Sequence, residues 1–461
     1  MKKIISLLLV LTMVVSIAAC GSSDQSGSSD TSNEASDQQS TPASSASSED
    51  EETEYQFALG TSLTDETNFT ADDGTVLMTQ KYEFPQLEVQ TADGTPCDLS
   101  SVDSEMADIC QTFNDAMQTE ASNFEASVQE TLASAQSAYA NLDSDMQAAW
   151  ANYSDELTIG TTYQTSGILS IQANCYSFYG GAHPSTYTRT WNYDLTTGEF
   201  ITFDTLLGDT NPFADTLDYE LGYAIQTQID EQGLSEGYFD DYIDYINDLP
   251  THANFCLQDS GMLVIFDTYV LAPYAAGAQT FTIPYSTFYY ALPDHIQSLI
   301  DISEEDSIIA DYRTTELLWS WFNMTTPELA SDGGQITTSD GSTYYHTSVG
   351  NITTLDGLRE LLCLHISEDL ADQWINSGRF IEEDSALYVS VGVRGGNINF
   401  GDEAYSVELD GESGEVIQTL YLQDYNSSTG TYELNGESDE YSYPFNLVNG
   451  HAIFTEFNCP Y

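Results

Sequence analysis

The run Ser170-Ile-Gln-Ala-Asn-Cys175-Tyr-Ser-Phe-Tyr179-Gly-Gly-Ala-His183-Pro184, continued by Tyr187-Thr-Arg-Thr-Trp191-Asn-Tyr-Asp194-Leu-Thr-Thr-Gly198-Glu-Phe-Ile-Thr-Phe203, decides how the chain folds. It reads as a strand, a glycine-rich crossing, a second strand and a hairpin. Alternation sets Ile171, Ala173, Cys175 and Ser177 on one face and Gln172, Asn174, Tyr176 and Phe178 on the other. Gly180-Gly181 supplies positive φ, and Pro184 stops continued pairing. Thr196-Thr197-Gly198 puts glycine where a short hairpin loop needs it.

The apolar face of such a pair needs a covering layer, and the sequence upstream offers one. Ile109, Phe113, Ala116, Met117, Phe124, Val128 and Leu132 recur at threes and fours, which predicts a long helix over 101–141 with Ser101 or Ser104 as its cap. Strands over 157–163 and 168–179 follow, so the expected plan is α+β, a long helix on an antiparallel sheet. Downstream, the pattern predicts helices over 212–232 and 237–249, the second ended by Pro250, then strands over 253–257, 262–269 and 281–284 around the turn Asp259-Ser-Gly261. Residues 293–309 read as a closing helix and linker, and 312–461 as a second compact α+β domain. Trp319, Trp321, Phe322, Leu361 and Trp374 are its expected core. The expected organisation is therefore a signal peptide (1–20), a tether (21–54), a two-part domain (55–155 and 156–300) and the C-terminal domain.

The first residues set the expected compartment. Lys2-Lys3 is a basic head, residues 4–17 an apolar core, and Ile17-Ala-Ala-Cys20 a lipobox, which predicts a mature chain starting at a diacylated Cys20 on the outer face of a bacterial membrane. A secretory signal with a coincidental cysteine is the plainer alternative. The stretch from Gly21 to Glu54 is almost entirely Ser, Asp, Glu, Gln, Thr and Ala with one proline, too polar to form a core, and as a flexible tether spans roughly 30 Å.

Charge excludes one class of partner. Against 74 acidic residues stand 8 basic ones, a formal net charge of −66, so nucleic acid is not expected as a ligand. Cationic proteins and peptides are favoured by such a field, although acidity also serves plain solubility. Besides Cys20, the cysteines are Cys97, Cys110, Cys175, Cys256, Cys363 and Cys459. An even count outside the cell reads as disulfides of undecided pairing, and buried thiols are the alternative. No zinc-ligand spacing, calcium loop or Gly-x-Ser-x-Gly elbow occurs, so no metal, cofactor or catalytic residue is assigned. Tyr179, His183, Tyr187, Trp191 and Tyr274 are the candidate ligand-binding residues, an aromatic set suited to sugars or to arginine. For His183, bonding to its own turn is the competing role.

Tyr179-Gly-Gly-Ala-His183, Trp191-Asn-Tyr-Asp194-Leu-Thr-Thr-Gly198-Glu, Leu271-Ala-Pro-Tyr-Ala-Ala-Gly277 and Ile283-Pro-Tyr-Ser286 together resemble the RsiV-like extracellular domain, which occurs in lysozyme-binding anti-sigma factors and beside the PdaC deacetylase domain. The region 82–152 is similar to the companion domain that precedes it. Only Met1-Lys2-Lys3 precedes the signal core, so sequestration of a sigma factor is not expected. The deacetylase's metal-binding Asp motif and paired histidines are likewise missing. Phe239-Asp-Asp-Tyr242 echoes that motif without its glycine. Asp340-Gly-Ser-Thr-Tyr344, Thr353-Thr-Leu-Asp-Gly-Leu-Arg359, Ile366-Ser-Glu-Asp-Leu370 and Ala386-Leu-Tyr-Val389 more faintly resemble the cell-wall DL-endopeptidase inhibitor family. The resemblance implies a surface-anchored protein that binds a basic protein such as lysozyme or a cell-wall hydrolase. A peptidoglycan-binding module, or a hydrolase with an unrecognised carboxylate site, is the alternative.

Overall fold

The computed structural model describes residues 54–460 except 207–212, 214–215, 348 and 393–394, so the signal peptide and Cys20 lie outside the described residues. Strands β1 (Tyr55–Leu59), β2 (Leu63–Thr70), β3 (Val76–Phe84) and β4 (Leu87–Thr91) precede the long helix Ser104–Ala140. The carboxylate of Asp103, rather than Ser101 or Ser104, caps this helix by accepting the Glu105 amide at 2.8 Å. Strands β5 (Tyr153–Gln164), β6 (Ile168–Phe178), β7 (Ser185–Asp194) and β8 (Phe200–Ile201) follow. They form one sheet in the order β2-β3-β5-β6-β7-β8, in which only β3 and β5 run parallel. A parallel pair needs a long crossover, and the helix is that crossover.

The expected helix face is the buried one. Ile109, Phe113, Met117, Ala121 and Phe124 pack against Phe84, Leu157, Ala173, Cys175 and Tyr193. Phe113 meets Tyr193 at 5.0 Å between ring centres, and the Tyr193 hydroxyl donates to Ile109 O at 2.9 Å. On β6, Ile171, Ala173, Cys175 and Ser177 are buried as the alternation requires.

A smaller sheet, in the order β11-β10-β9, combines β9 (Asn254–Gln258), β10 (Gly261–Phe266) and β11 (Gln279–Ile283). Asn192 joins it to the first sheet. Its buried amide donates to Phe255 O at 2.9 Å and accepts from Leu257 N at 3.1 Å and Ser170 Oγ at 2.6 Å. Helix Leu217–Gln232 covers this sheet, closed by Gly233 at φ 63°. The expected helix over 237–249 is broken into Tyr242–Ile246 and Leu249–His252. Pro250 opens the second piece instead of ending the first, since a missing N–H costs nothing in a first turn.

The expected linker at 293–309 is structured. Helix Asp294–Leu299 is followed by Glu304–Asn323, capped by Ser303 and carrying Glu304, Glu305 and Asp306 in its first turn, where acidic side chains favour a helix start. A boundary at Tyr312 thus falls inside a helix. Two further sheets complete the chain: β12 (Gln335–Thr337), β13 (Thr343–His346), β14 (Phe380–Glu383) and β15 (Ala386–Val389) in the order β12-β13-β15-β14, and β16 (Phe400–Asp410), β17 (Ser413–Asn426), β18 (Thr431–Val448) and β19 (His451–Phe454) in sequence order. Tyr312 is buried among Tyr405, Tyr443, Phe454 and Phe457, and Trp319, Trp321, Phe322, Leu361 and Trp374 are buried as expected. One apolar cluster runs continuously from Ile168 to Cys459.

No disulfide joins the cysteines that are described. Cys97, Cys110, Cys175, Cys256, Cys363 and Cys459 are free thiols, four of them buried. Cys110 donates to Leu87 O at 3.1 Å, and burial pushes Cys175 and Cys256 up to about 11. These thiols act as small apolar core residues.

Buried carboxylates shape the pH dependence of this fold. Burial holds Asp155, Asp218, Glu220 and Asp267 above the ordinary carboxylate range, so each binds its proton more tightly folded than unfolded. For Asp194 and Asp311, burial pushes upward too, but donors outweigh it, Thr196 and His295 for Asp194 and His365, His451 and Tyr290 for Asp311. Both end below 3.8, so their stabilisation is present above that value and lost as pH falls through their folded pKa. Stability is therefore expected to rise from neutral to mildly acidic pH and to collapse below about 4. Thermal midpoints across that range check it, and a midpoint that only falls from neutrality downward contradicts it.

Candidate functional site

The crossing after β6 is built by Gly180, at φ 79°, over the Tyr153 ring. A side chain here would meet that ring at 2.8 Å, which is why glycine stands there. Gly181 is not in the left-handed region, so one of the pair makes the turn.

Beyond the crossing, His183 is exposed. Its Nδ1 donates to Pro184 O at 3.0 Å, and its ring lies on Tyr274, with centres 4.0 Å apart and planes 22° from parallel. Tyr269 completes the group, its ring 5.7 Å from Tyr274 and its hydroxyl 3.5 Å from His183 Nε2. Tyr269 is 55% exposed and held at φ 73°, a conformation that side chains other than glycine adopt at a cost. Asp267 keeps it there by accepting the Thr188 amide at 2.8 Å, which ties the loop before Tyr269 to β7. The result is a corner of three rings, His183 and Tyr269 exposed and Tyr274 half-buried.

Two of the five expected aromatic residues meet in this corner, His183 and Tyr274. Tyr179 is exposed but packs on Tyr153, on the other side of Gly180. Tyr187 and Trp191 are turned toward the long helix and do not form a ligand surface. The register decides it: Tyr187 sits opposite Cys175 and Trp191 opposite Ile171, on the apolar face of β6. Burial pushes the Tyr187 hydroxyl up to about 12, and Trp191 packs on Phe84 at 6.0 Å. Tyr269 was missed, because positive φ at a tyrosine leaves no mark in an alternation pattern.

Among the described residues, the basic side chains are engaged in other parts of the fold. Arg189 donates to Glu120 at 2.6 Å, Arg359 to Asp372 at 2.6 Å, and Arg313 lies between Glu220 and Glu403 at 3.9 and 3.8 Å. Arg379 is spent on the carbonyls of Trp321, Thr325 and Gly392, and Lys81 stands opposite Glu66. The corner thus offers π faces to a surface whose field is negative. Among the described residues, no His, Cys, Asp or Glu group is placed to hold a metal ion, and no helix is long and apolar enough to cross a membrane.

Residues 99–186 match the family described as "Deacetylase PdaC", and residues 206–286 match DUF3298, "Protein of unknown function". A DUF3298 family member from Bacteroides fragilis NCTC 9343 is 17% identical with a TM-score of 0.40, over 54% of this chain and 98% of that one. A DUF3298 family protein from Pseudomonas aeruginosa PAO1 is 15% identical with a TM-score of 0.32, over 53% of this chain and 96% of that one. No curated protein matches. The RsiV-like resemblance of the sequence is thereby met by family matches over the same region. His183 falls in the first matched segment and Tyr269 and Tyr274 in the second, so the corner forms where the two segments meet.

Proposed function

We propose that this chain, in which a PdaC-family segment is followed by a DUF3298 domain, is a binding protein held by a lipid on Cys20 at the outer face of a bacterial membrane. Its ligand is a basic extracellular protein, such as a lysozyme or a cell-wall hydrolase, which it senses, intercepts or inhibits. The observation that carries this reading is the ring cluster of His183, stacked on a half-buried Tyr274, and the exposed Tyr269, on a chain of net charge −66. An arginine or lysine is attracted first by the field and then by the ring faces. The acidic field sets the rate and salt dependence of encounter, and the rings set the place.

Titrating the chain with lysozyme by calorimetry tests this. Binding is expected at low ionic strength and should weaken steeply by moderate salt, where charges more than about 10 Å apart are screened. No heat at low ionic strength would sink the reading. A flat ring pair also suits a sugar face, which favours a peptidoglycan fragment as the second reading. Retention on insoluble peptidoglycan that persists at moderate salt, without lysozyme binding, would select it.

A further inference from the structure

The C-terminal half holds a buried carboxylate that the aromatic corner does not use. Asp311, fully buried on helix Glu304–Asn323, accepts the Tyr290 hydroxyl at 2.6 Å on Oδ1 and the Ala452 amide at 2.7 Å on Oδ2. Nδ1 of His365 lies 3.4 Å and Nδ1 of His451 3.8 Å from the same Oδ1. His451 Nδ1 is also 3.0 Å from the Tyr290 oxygen. Tyr290 has one proton and gives it to Asp311, so His451 donates from Nδ1 to that oxygen. In the neutral ring the lone pair is then on Nε2.

The His451 side chain is 49% exposed and lines a cleft of about 300 Å³. Asp294 and Gln297 stand on its rim, and Phe213, Leu361 and Leu364 form apolar wall. The Gln297 amide gives one hydrogen to Leu292 O at 2.8 Å, and its oxygen is an acceptor. The acceptors that the cleft offers a ligand are thus a ring nitrogen, a carboxylate and an amide oxygen. No lysine or arginine lines the cleft among the described residues. Acceptors over apolar wall fit a donor-rich positive head on an apolar stem.

We propose that this cleft binds an organic cation, a guanidinium or ammonium group on a short apolar stem. Proton uptake by His451 opposes such a ligand, because it turns Nε2 into a donor and adds like charge. The groups facing His451 are Asp311, His365, Tyr290 and, at the rim, Asp294. Hydrogen bonding to Asp311 holds His451 above the ordinary histidine range, so binding is expected to fade as pH falls through that raised value.

Saturation-transfer NMR on the full chain with n-butylguanidinium, and with n-butanol as the uncharged stem, tests the assignment. The cation is expected to bind and butanol not to. Asp294→Asn, at an exposed position, should weaken the cation by about two- to fivefold. His451→Gln removes the group that titrates, so the binding that remains should lose its pH dependence. A capped tripeptide with a central arginine distinguishes the sources: its binding points to a partner's side chain, and binding of free butylguanidinium alone points to a small molecule. Equal signals from butanol, affinity unmoved by Asp294→Asn, or no binding by either cation overturns the proposal. The cleft shares no residue with the corner, so its failure leaves the lysozyme reading standing.

Discussion

Gly261→Ala is expected to leave little folded protein. Gly261 opens β10 at φ 147°, buried, with the β11 backbone directly against it. A β-carbon there would fall on the Ile283 carbonyl, 2.8 Å from its carbon and 2.9 Å from Pro284 Cα. Backbone cannot swing aside as a side chain does, so β10 and β11 must part, and both carry the buried residues that face helix Leu217–Gln232. Left-handed strain of about 1–3 kcal/mol and overpacking of a similar amount come to about 2–6 kcal/mol, which at its upper end reaches the stability of a marginal domain. Chemical denaturation with circular dichroism reads it. A variant that unfolds cooperatively within about 1 kcal/mol of the parent would show that the strand pair has slack this account denies.

Asp311→Ala is expected to cost about 3–5 kcal/mol, the usual penalty for breaking a buried charged cluster from one side. The loss takes away the acceptor of the Tyr290 hydroxyl and of the Ala452 amide, and the carboxylate beside the buried His365. These belong to three segments, the turn before helix Asp294–Leu299, strand β19 and the end of helix Leu355–Cys363, so one carboxylate holds all three to helix Glu304–Asn323. Asp311→Asn keeps an acceptor for the Ala452 amide and should cost clearly less. Denaturant midpoints of the two variants compare them, and equal, small losses would mean that the segments are held by apolar packing alone.

The sequence made the first layer legible because its signals are periodic. The stripe from Ile109 to Val128 and the alternation from Ile171 to Ser177 each carry their own period, and both are buried as read. The candidate site was legible only in part. The structure brings the candidates His183 and Tyr274 together, whereas the candidates Tyr187 and Trp191 are turned against the core by strand parity. The face on which β7 carries them follows from pairing with β6, which is a property of two strands. Tyr269 depends on a backbone angle, and Asp311 gathers partners 21, 54 and 140 residues away, Tyr290, His365 and His451, at distances no local pattern encodes.

The central claim is that a cationic protein is captured on the rings at His183, Tyr269 and Tyr274. Calorimetric titration of lysozyme into the parent chain and into a His183→Ala, Tyr274→Ala double variant, both at low ionic strength, tests it most directly. The account predicts binding to the parent and a loss of about two- to fivefold in the variant, since a cation–π contact to a tyrosine face contributes about 0.5–1 kcal/mol. Unchanged affinity in a folded variant, or no binding to the parent, would contradict it.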